Sequence, residues 1–307
     1  MLKETLVLVG QTLNKRQTNR EKLLFINTIA APLLAEGIKA EVHRNPNKKV
    51  KSNNLQIGNL NNSDTIFVSG YDTASRMLKP HTQYYPLNAD INRKNEKINL
   101  LIYAAVTIIA IISMFFASKM ILAADFYLKL LGTIIDAGMI FLLIFSLKMA
   151  SSGVNMNRNS AACALMFELA KHKADNCSYV YTDQSIQSYL GYLQLANWLK
   201  SINDKRFIIL DSLSSGSNLC VAAAENDEFS KRLAKNLTAN FIALNKVELA
   251  NSPLSCYPKA TLIFCGEMID DQWTVKDSRN SSDYHIDVNR LEKLLTDLQA
   301  VCIKKDK

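Results

Sequence analysis

Along most of this chain apolar residues recur in two alternating rhythms, helical and strand-like, and near its middle they merge into two almost unbroken blocks. Residues 19–37 (NREKLLFINTIAAPLLAEG) carry apolar side chains at helical spacing, open on the polar Asn19 and close on Gly37, a residue suited to a helix C-terminus. Strand-like runs follow at 38–44 (IKAEVHR), 54–60 (NLQIGNL) and 64–70 (DTIFVSG). Residues 79–97 are polar with two prolines, which predicts a loop. Beyond the apolar blocks the pattern predicts helices over 159–172, 185–199, 228–241 and 288–303 and strands over 177–182 (CSYVYT), 205–211 (KRFIILD) and 260–266 (ATLIFCG). Strands alternating with helices predict an α/β domain, a mostly parallel mixed sheet with helices on both faces. The sets on either side of the blocks are each incomplete, so the blocks read as an insertion into one domain.

No charge falls between Lys97 and Lys119, and the run over 98–118 is long enough, at about 1.5 Å per residue, to cross a ~30 Å hydrocarbon layer. A buried core helix of that length normally keeps a polar face, and this one has none. The second run, over about 128–148, is broken only by Asp136, which costs roughly 2.5–3.5 kcal/mol near the centre of a span. Together they predict a two-helix transmembrane hairpin over 98–150, flanked by 1–97 and 151–307 as two parts of one α/β domain. Asp136 then has two readings: a side chain near the far interface, or a contact with a polar group on a membrane-protein partner. Thr133, one turn away, is placed to hydrogen-bond it. Gly132 and Gly138 suit close helix approach, within the hairpin or against a partner.

The net charge of +8 fits a surface facing anionic lipid, making the bilayer the first expected partner. No basic stripe interleaved with aromatics points to nucleic acid. The N-terminus has only a short apolar stretch before Lys15 and no small-residue cleavage site, unlike a signal peptide. Six cysteines show no C-x-x-C or metal-type spacing and read as buried thiols of a reducing compartment. Both termini are therefore expected in the cytoplasm. Arg93, Lys94 and Lys97 before the first span, and Lys148 and Arg158 after the second, agree, although Lys119 and Lys129 lie on the link.

Five segments, in order, resemble the zinc-dependent aminopeptidases that also include glutaminyl cyclases, metallopeptidase family 28. NLQIGNLNNSDTIFVSGYDT looks like the family's strand pair ending in G-x-H-x-D-T, and NMNRNSAACALMFELA like its G-A-N-D-N-A-S-G helix start. YVYTDQSIQSYLGYLQLA resembles the F-D-G-E-E strand and helix, RFIILDSL the strand ending in a ligand Asp, and RNSSDYHIDVNRLEKLL the closing H-T-P-x-D segment. The resemblance covers nearly all of the chain outside the hairpin and implies a zinc-exopeptidase fold.

It also implies where the family's chemistry would sit, and there this chain departs from it. The family holds two zinc ions with two His, a bridging Asp, a Glu and a further Asp, beside a Glu that serves as general base; such ligands converge at ~2 Å. By the matched motifs Gly70 stands at the first His, Arg158 at the bridging Asp and Arg279 at the last His, while Ser185 and Ile186 replace the Glu pair. Asp211 remains as a ligand, and Asp72 as the Asp that would orient the missing His. No shift of alignment restores the Glu pair, because no Glu lies between Glu168 and Glu225. These departures imply no metal, no cofactor and no catalytic residue.

The expectation is a membrane-anchored pseudopeptidase that acts as a binding or scaffolding subunit. Its degenerate cleft, built from Asp72, Arg158, Asp211 and Arg279, either grips a carboxylate such as a peptide C-terminus or merely neutralises its own acids. The alternatives are a divergent zinc-dependent aminopeptidase-type hydrolase and a purely structural subunit of a membrane complex. A serine or cysteine hydrolase is the remaining rival, but no Ser lies in G-x-S-x-G, and the serine-rich stretch after Asp211 reads as a surface loop.

Overall fold

Ile66-Phe67-Val68 has no polar position because it runs through the middle of a sheet covered on both faces. The computed structural model describes residues 1–45, 52–78, 83–122, 125–149, 155–186, 188–199, 201–276, 278 and 283–303. Among these, the strands are β1 (Ala40–Arg44), β2 (Asn53–Ile57), β3 (Thr65–Gly70), β4 (Cys177–Thr182), β5 (Arg206–Leu210), β6 (Asn218–Ala224), β7 (Asn240–Leu244), β8 (Ala260–Ile269) and β9 (Gln272–Thr274). They form one sheet in the order β1-β2-β4-β3-β5-β8-β6-β7, with β9 on β8. The central block β4-β3-β5-β8 is parallel, whereas β2 joins β4, and β6 joins β8, in antiparallel sense. β3 precedes the apolar blocks and both its neighbours follow them, so the two parts of the chain share one sheet.

Alternation along β3 divides the core. Phe67 faces a layer built from α1 (Leu2–Val7), α2 (Asn19–Ala35), α5 (Ser160–Ala170), α7 (Glu228–Leu237) and α9 (Val288–Ile303). Ile66 and Val68 face the other layer, with Tyr192 and Leu195 of α6 (Leu190–Trp198), Leu254 and Tyr257. The expected mixed α/β sheet with helices on both faces is thus the observed one. Local boundaries differ for physical reasons. Thr18 rather than Asn19 caps α2, because its hydroxyl and the Glu21 carboxylate form a reciprocal capping box. The 228–241 helix stops at Leu237, where Thr238 turns left-handed and releases 240–244 into β7. The 185–199 helix starts only at Leu190, because Ser185 is drawn aside by bonds described below.

The apolar blocks are α3 (Ala89–Ile121) and α4 (Phe126–Met149), packed on each other. Both are long and apolar enough to cross a membrane, and in their most apolar windows only 11% and 6% of residues are buried. At 33 residues, about 50 Å, α3 exceeds the apolar run and begins within the expected loop. Its polar first turns are consumed by the α/β domain. Asn251, just after α8 (Lys246–Ala250), accepts from Ala89 N at 2.8 Å and Asp90 N at 3.1 Å. Asn99, 2% exposed, bonds Leu78 N, Ser75 Oγ and Arg76 O. Ala110 and Ala117 line the seam, and a Cβ on Gly132 would lie 2.7 Å from Ala117 O, whereas one on Gly138 would meet nothing within 4 Å.

Candidate functional site

The parallel strands β4, β3 and β5 end together, and the residues that follow them meet above the sheet edge, the usual place for a site in an open α/β fold. Asp72 lies just beyond β3. Its Oδ1 accepts from Ser185 N at 3.0 Å and from the Ser185 hydroxyl, and its carbonyl accepts from the Asn159 amide. Ser185 fills the space beside Gly70: a Cβ at that glycine would lie 2.1 Å from its Oγ. A histidine therefore cannot stand at position 70 unless Ser185 moves away.

Asp211 follows β5. Its Oδ1 accepts from Ser212 Oγ at 2.9 Å and its Oδ2 from the Tyr84 hydroxyl at 2.5 Å. Tyr84 is 5% exposed and belongs to the segment that leads into α3. Paired backbone bonds to Val275, at 3.1 and 2.8 Å, fix it from one side. From α3, Asn92 clamps the next residue by accepting from Tyr85 N and donating to Tyr85 O. The phenol is pushed well above its usual range by burial and then by Asp211, so it stays a donor.

Arg158 is 6% exposed and stacks on the Tyr84 ring, with its guanidinium carbon 3.7 Å from the centroid. Its Nε is enclosed and has no hydrogen-bond partner among the described residues. Burial opposes its charge, but Tyr84, Asp211, Glu96 and Asp72 together hold it more firmly protonated than usual. The structure thus gathers Arg158 and Asp211 around Tyr84, with Asp72 within electrostatic reach of Arg158; Arg279 lies outside the described residues.

These donors do not fit a pair of zinc ions. Gly70 and Arg158 offer no side-chain atom suited to a divalent metal, and Asp72 Oδ1 and both carboxylate oxygens of Asp211 are engaged by hydroxyls and an amide. Among the described residues no three His, Cys, Asp or Glu side chains converge. Among the described residues a nucleophile is no better supplied. Neither His43, which bonds Gln56, nor exposed His172 or His285 hydrogen-bonds Ser185, and burial pushes the Cys163 thiol up to about 12. The stretch after Asp211 is no surface loop at its start: Ser212 and Ser214 are buried, and Ser214 donates to Asn157 Oδ1.

Two supports of the site left no clear mark in the sequence. Arg16, fully buried, donates to the carbonyls of Val9, Leu13 and Tyr71 and to Ser160 Oγ at 2.8 Å, tying the N-terminal helix to the Asp72 turn. Lys22 pairs with Asp183 at 2.6 Å, both buried, beside the Ser185 turn. In the hairpin, Asp136 lies about 15 Å along α4 from Phe126. Its Oδ1 is enclosed and has no hydrogen-bond partner among the described residues, and Thr133 donates to Lys129 O instead.

No protein-family model matches the chain, and no curated protein does. Solved structures do. The glutaminyl cyclase of Bacteroides thetaiotaomicron bound to N-acetylhistamine is 12% identical, with a TM-score of 0.56 over 99% of this chain and 96% of that one. Porphyromonas gingivalis glutaminyl cyclase is 10% identical, with a TM-score of 0.54 over 97% and 94%. The Legionella pneumophila aminopeptidase LapA is 10% identical, with a TM-score of 0.55 over 98% and 69%. Likeness at such identity concerns the fold alone, so the chain has the zinc-exopeptidase-like α/β fold shared by these glutaminyl cyclases and this aminopeptidase.

Proposed function

We propose that this protein is a membrane-anchored, catalytically inactive member of the zinc-exopeptidase group, of the metallopeptidase 28 type, acting as a binding or scaffolding subunit of a membrane assembly. The reading rests chiefly on one observation: Ser185 occupies the space a histidine at position 70 would need. Arg158 at the bridging position supports it, since a guanidinium there repels divalent cations. The two exposed apolar helices anchor the domain, with both termini on the cytoplasmic side, and α4 carries Asp136 towards a membrane partner. The cleft takes a carboxylate, such as a peptide C-terminus, which would displace Tyr84 and pair with Arg158 in bidentate fashion.

Elemental mass spectrometry of the detergent-purified protein after dialysis against trace zinc tests inactivity. The expected result is no stoichiometric metal and no chelator-sensitive aminopeptidase or cyclase turnover; near-stoichiometric zinc with such turnover would establish the divergent hydrolase instead. For the ligand, short peptides with a free C-terminus should bind and amidated ones should not. Arg158→Ala should abolish that preference, and a variant that kept it would remove the carboxylate reading.

A further inference from the structure

At the opposite end of the sheet, the last turn of α9 meets the first residue of β4, and a cysteine stands on each. Cys177 and Cys302 are both 4% exposed. Alternation along β4 puts Cys177 and Tyr179 on one face, in the core layer that also holds Leu298 and Cys302 of α9. The Tyr179 hydroxyl lies 3.8 Å from Cys302 Sγ, and Cys177, two residues before Tyr179 on the same face of β4, is close enough to that thiol for the two to perturb each other's ionisation. Three of the other cysteines face backbone oxygens: Cys163 faces Gly70 O, Cys265 faces Leu213 O and Cys220 faces Asn218 O.

Both cysteine residues border open space. Cys177 lines a cavity of about 630 Å³ with Gly58, Lys173 and Tyr179. Cys302 lines another of about 360 Å³ with His172, Gln299 and Tyr179. Either admits a molecule as small as a peroxide. The thiols are also unequal. Donation from Cys177, and then from Tyr179, holds Cys302 below the usual thiol range despite burial. Cys177 is pushed up, first by Cys302 and then by burial. Thiolate character is what attacks a peroxide.

We propose that Cys302 and Cys177 form a peroxide-operated dithiol pair that closes to a disulfide, pinning the end of α9 to the start of β4. The Cys302 thiolate attacks one peroxide oxygen; an S–O bond forms, the O–O bond breaks, and the leaving hydroxide takes up a proton as water. The Cys177 thiol then attacks the sulfenic sulfur and gives up its proton, and the sulfenic hydroxyl leaves as a second water. Two thiols are oxidised and one peroxide is reduced. In a reducing compartment such a bond is transient, as for a sensor. The pair lies away from the Asp72 cleft and does not depend on the function proposed for it.

The test is non-reducing peptide mapping of the full-length protein in detergent after brief exposure to hydrogen peroxide. The expected product is a dithiothreitol-reversible cross-link between the peptides carrying Cys177 and Cys302, with Cys163, Cys220, Cys256 and Cys265 recovered as thiols. Cys177→Ser should leave Cys302 as a sulfenic acid that dimedone traps, and Cys302→Ser should protect Cys177. Recovery of both thiols unchanged, or oxidation spread evenly over the six cysteines, would overturn the proposal using the wild-type protein alone.

Discussion

Asp72 shows how far a residue's role depends on what surrounds it. Burial, and then the neighbouring Asp183, raise its pKa above the usual carboxylate range, while Lys22 and the two Ser185 bonds pull the other way. The fold therefore keeps a proton that the unfolded chain loses near pH ~3.9. This contribution to stability is complete below that pH and is lost as pH rises through the folded-state pKa. Thermal unfolding in detergent should accordingly shift to lower temperature from about pH 4 upward, and Asp72→Asn, which keeps an oxygen for Ser185, should flatten that slope. An unchanged slope would assign the pH dependence to other groups. The same turn shows what was legible at residue scale. The G-Y-D-T run marked Asp72 as a candidate, but nothing near it in sequence marked Ser185 or Arg16 as supports of its turn, because both reach it from distant segments.

At the scale of elements, the hairpin divides its two glycines between different roles. A side chain at Gly132 would strike the backbone of α3 at Ala117, whereas Gly138 faces open space. Gly132→Ala should therefore cost about 1–3 kcal/mol as the helices are forced apart, read as an earlier thermal transition in micelles. Gly138→Ala should leave that transition in place. If the proposed membrane partner approaches α4, Gly138→Ala or Asp136→Leu should instead reduce its co-purification; retention with both variants would leave the hairpin as an anchor only. The polar first turns of α3 explain why helix and apolar run differ in length. Asn99 and the Asn88–Asn251 contacts exchange solvent for the α/β domain, so the helix continues beyond the part suited to lipid.

At the scale of the whole molecule, the sheet is completed only across the insertion, since β3 lies between β4 and β5. The hairpin therefore leaves and re-enters one folded body, and the Tyr84 segment at its root is also the cover of the cleft. Alkaline carbonate should leave the full chain in the membrane pellet, and protease added on the far side should reach only the link between α3 and α4. Release into the supernatant would mean that the apolar helices are covered by protein rather than lipid.

Periodicity, apolar run length and motif order determined by themselves the α/β class, the two long apolar helices and the exopeptidase-like order of segments, because each is a local property of consecutive residues. Tertiary structure alone decided that Tyr84 lies between Arg158 and Asp211, that Ser185 fills the space at Gly70, and that Cys177 and Cys302 share one core layer. Those are contacts between segments far apart in the chain, and spacing along a sequence carries no record of which side chains a folded sheet brings to one edge.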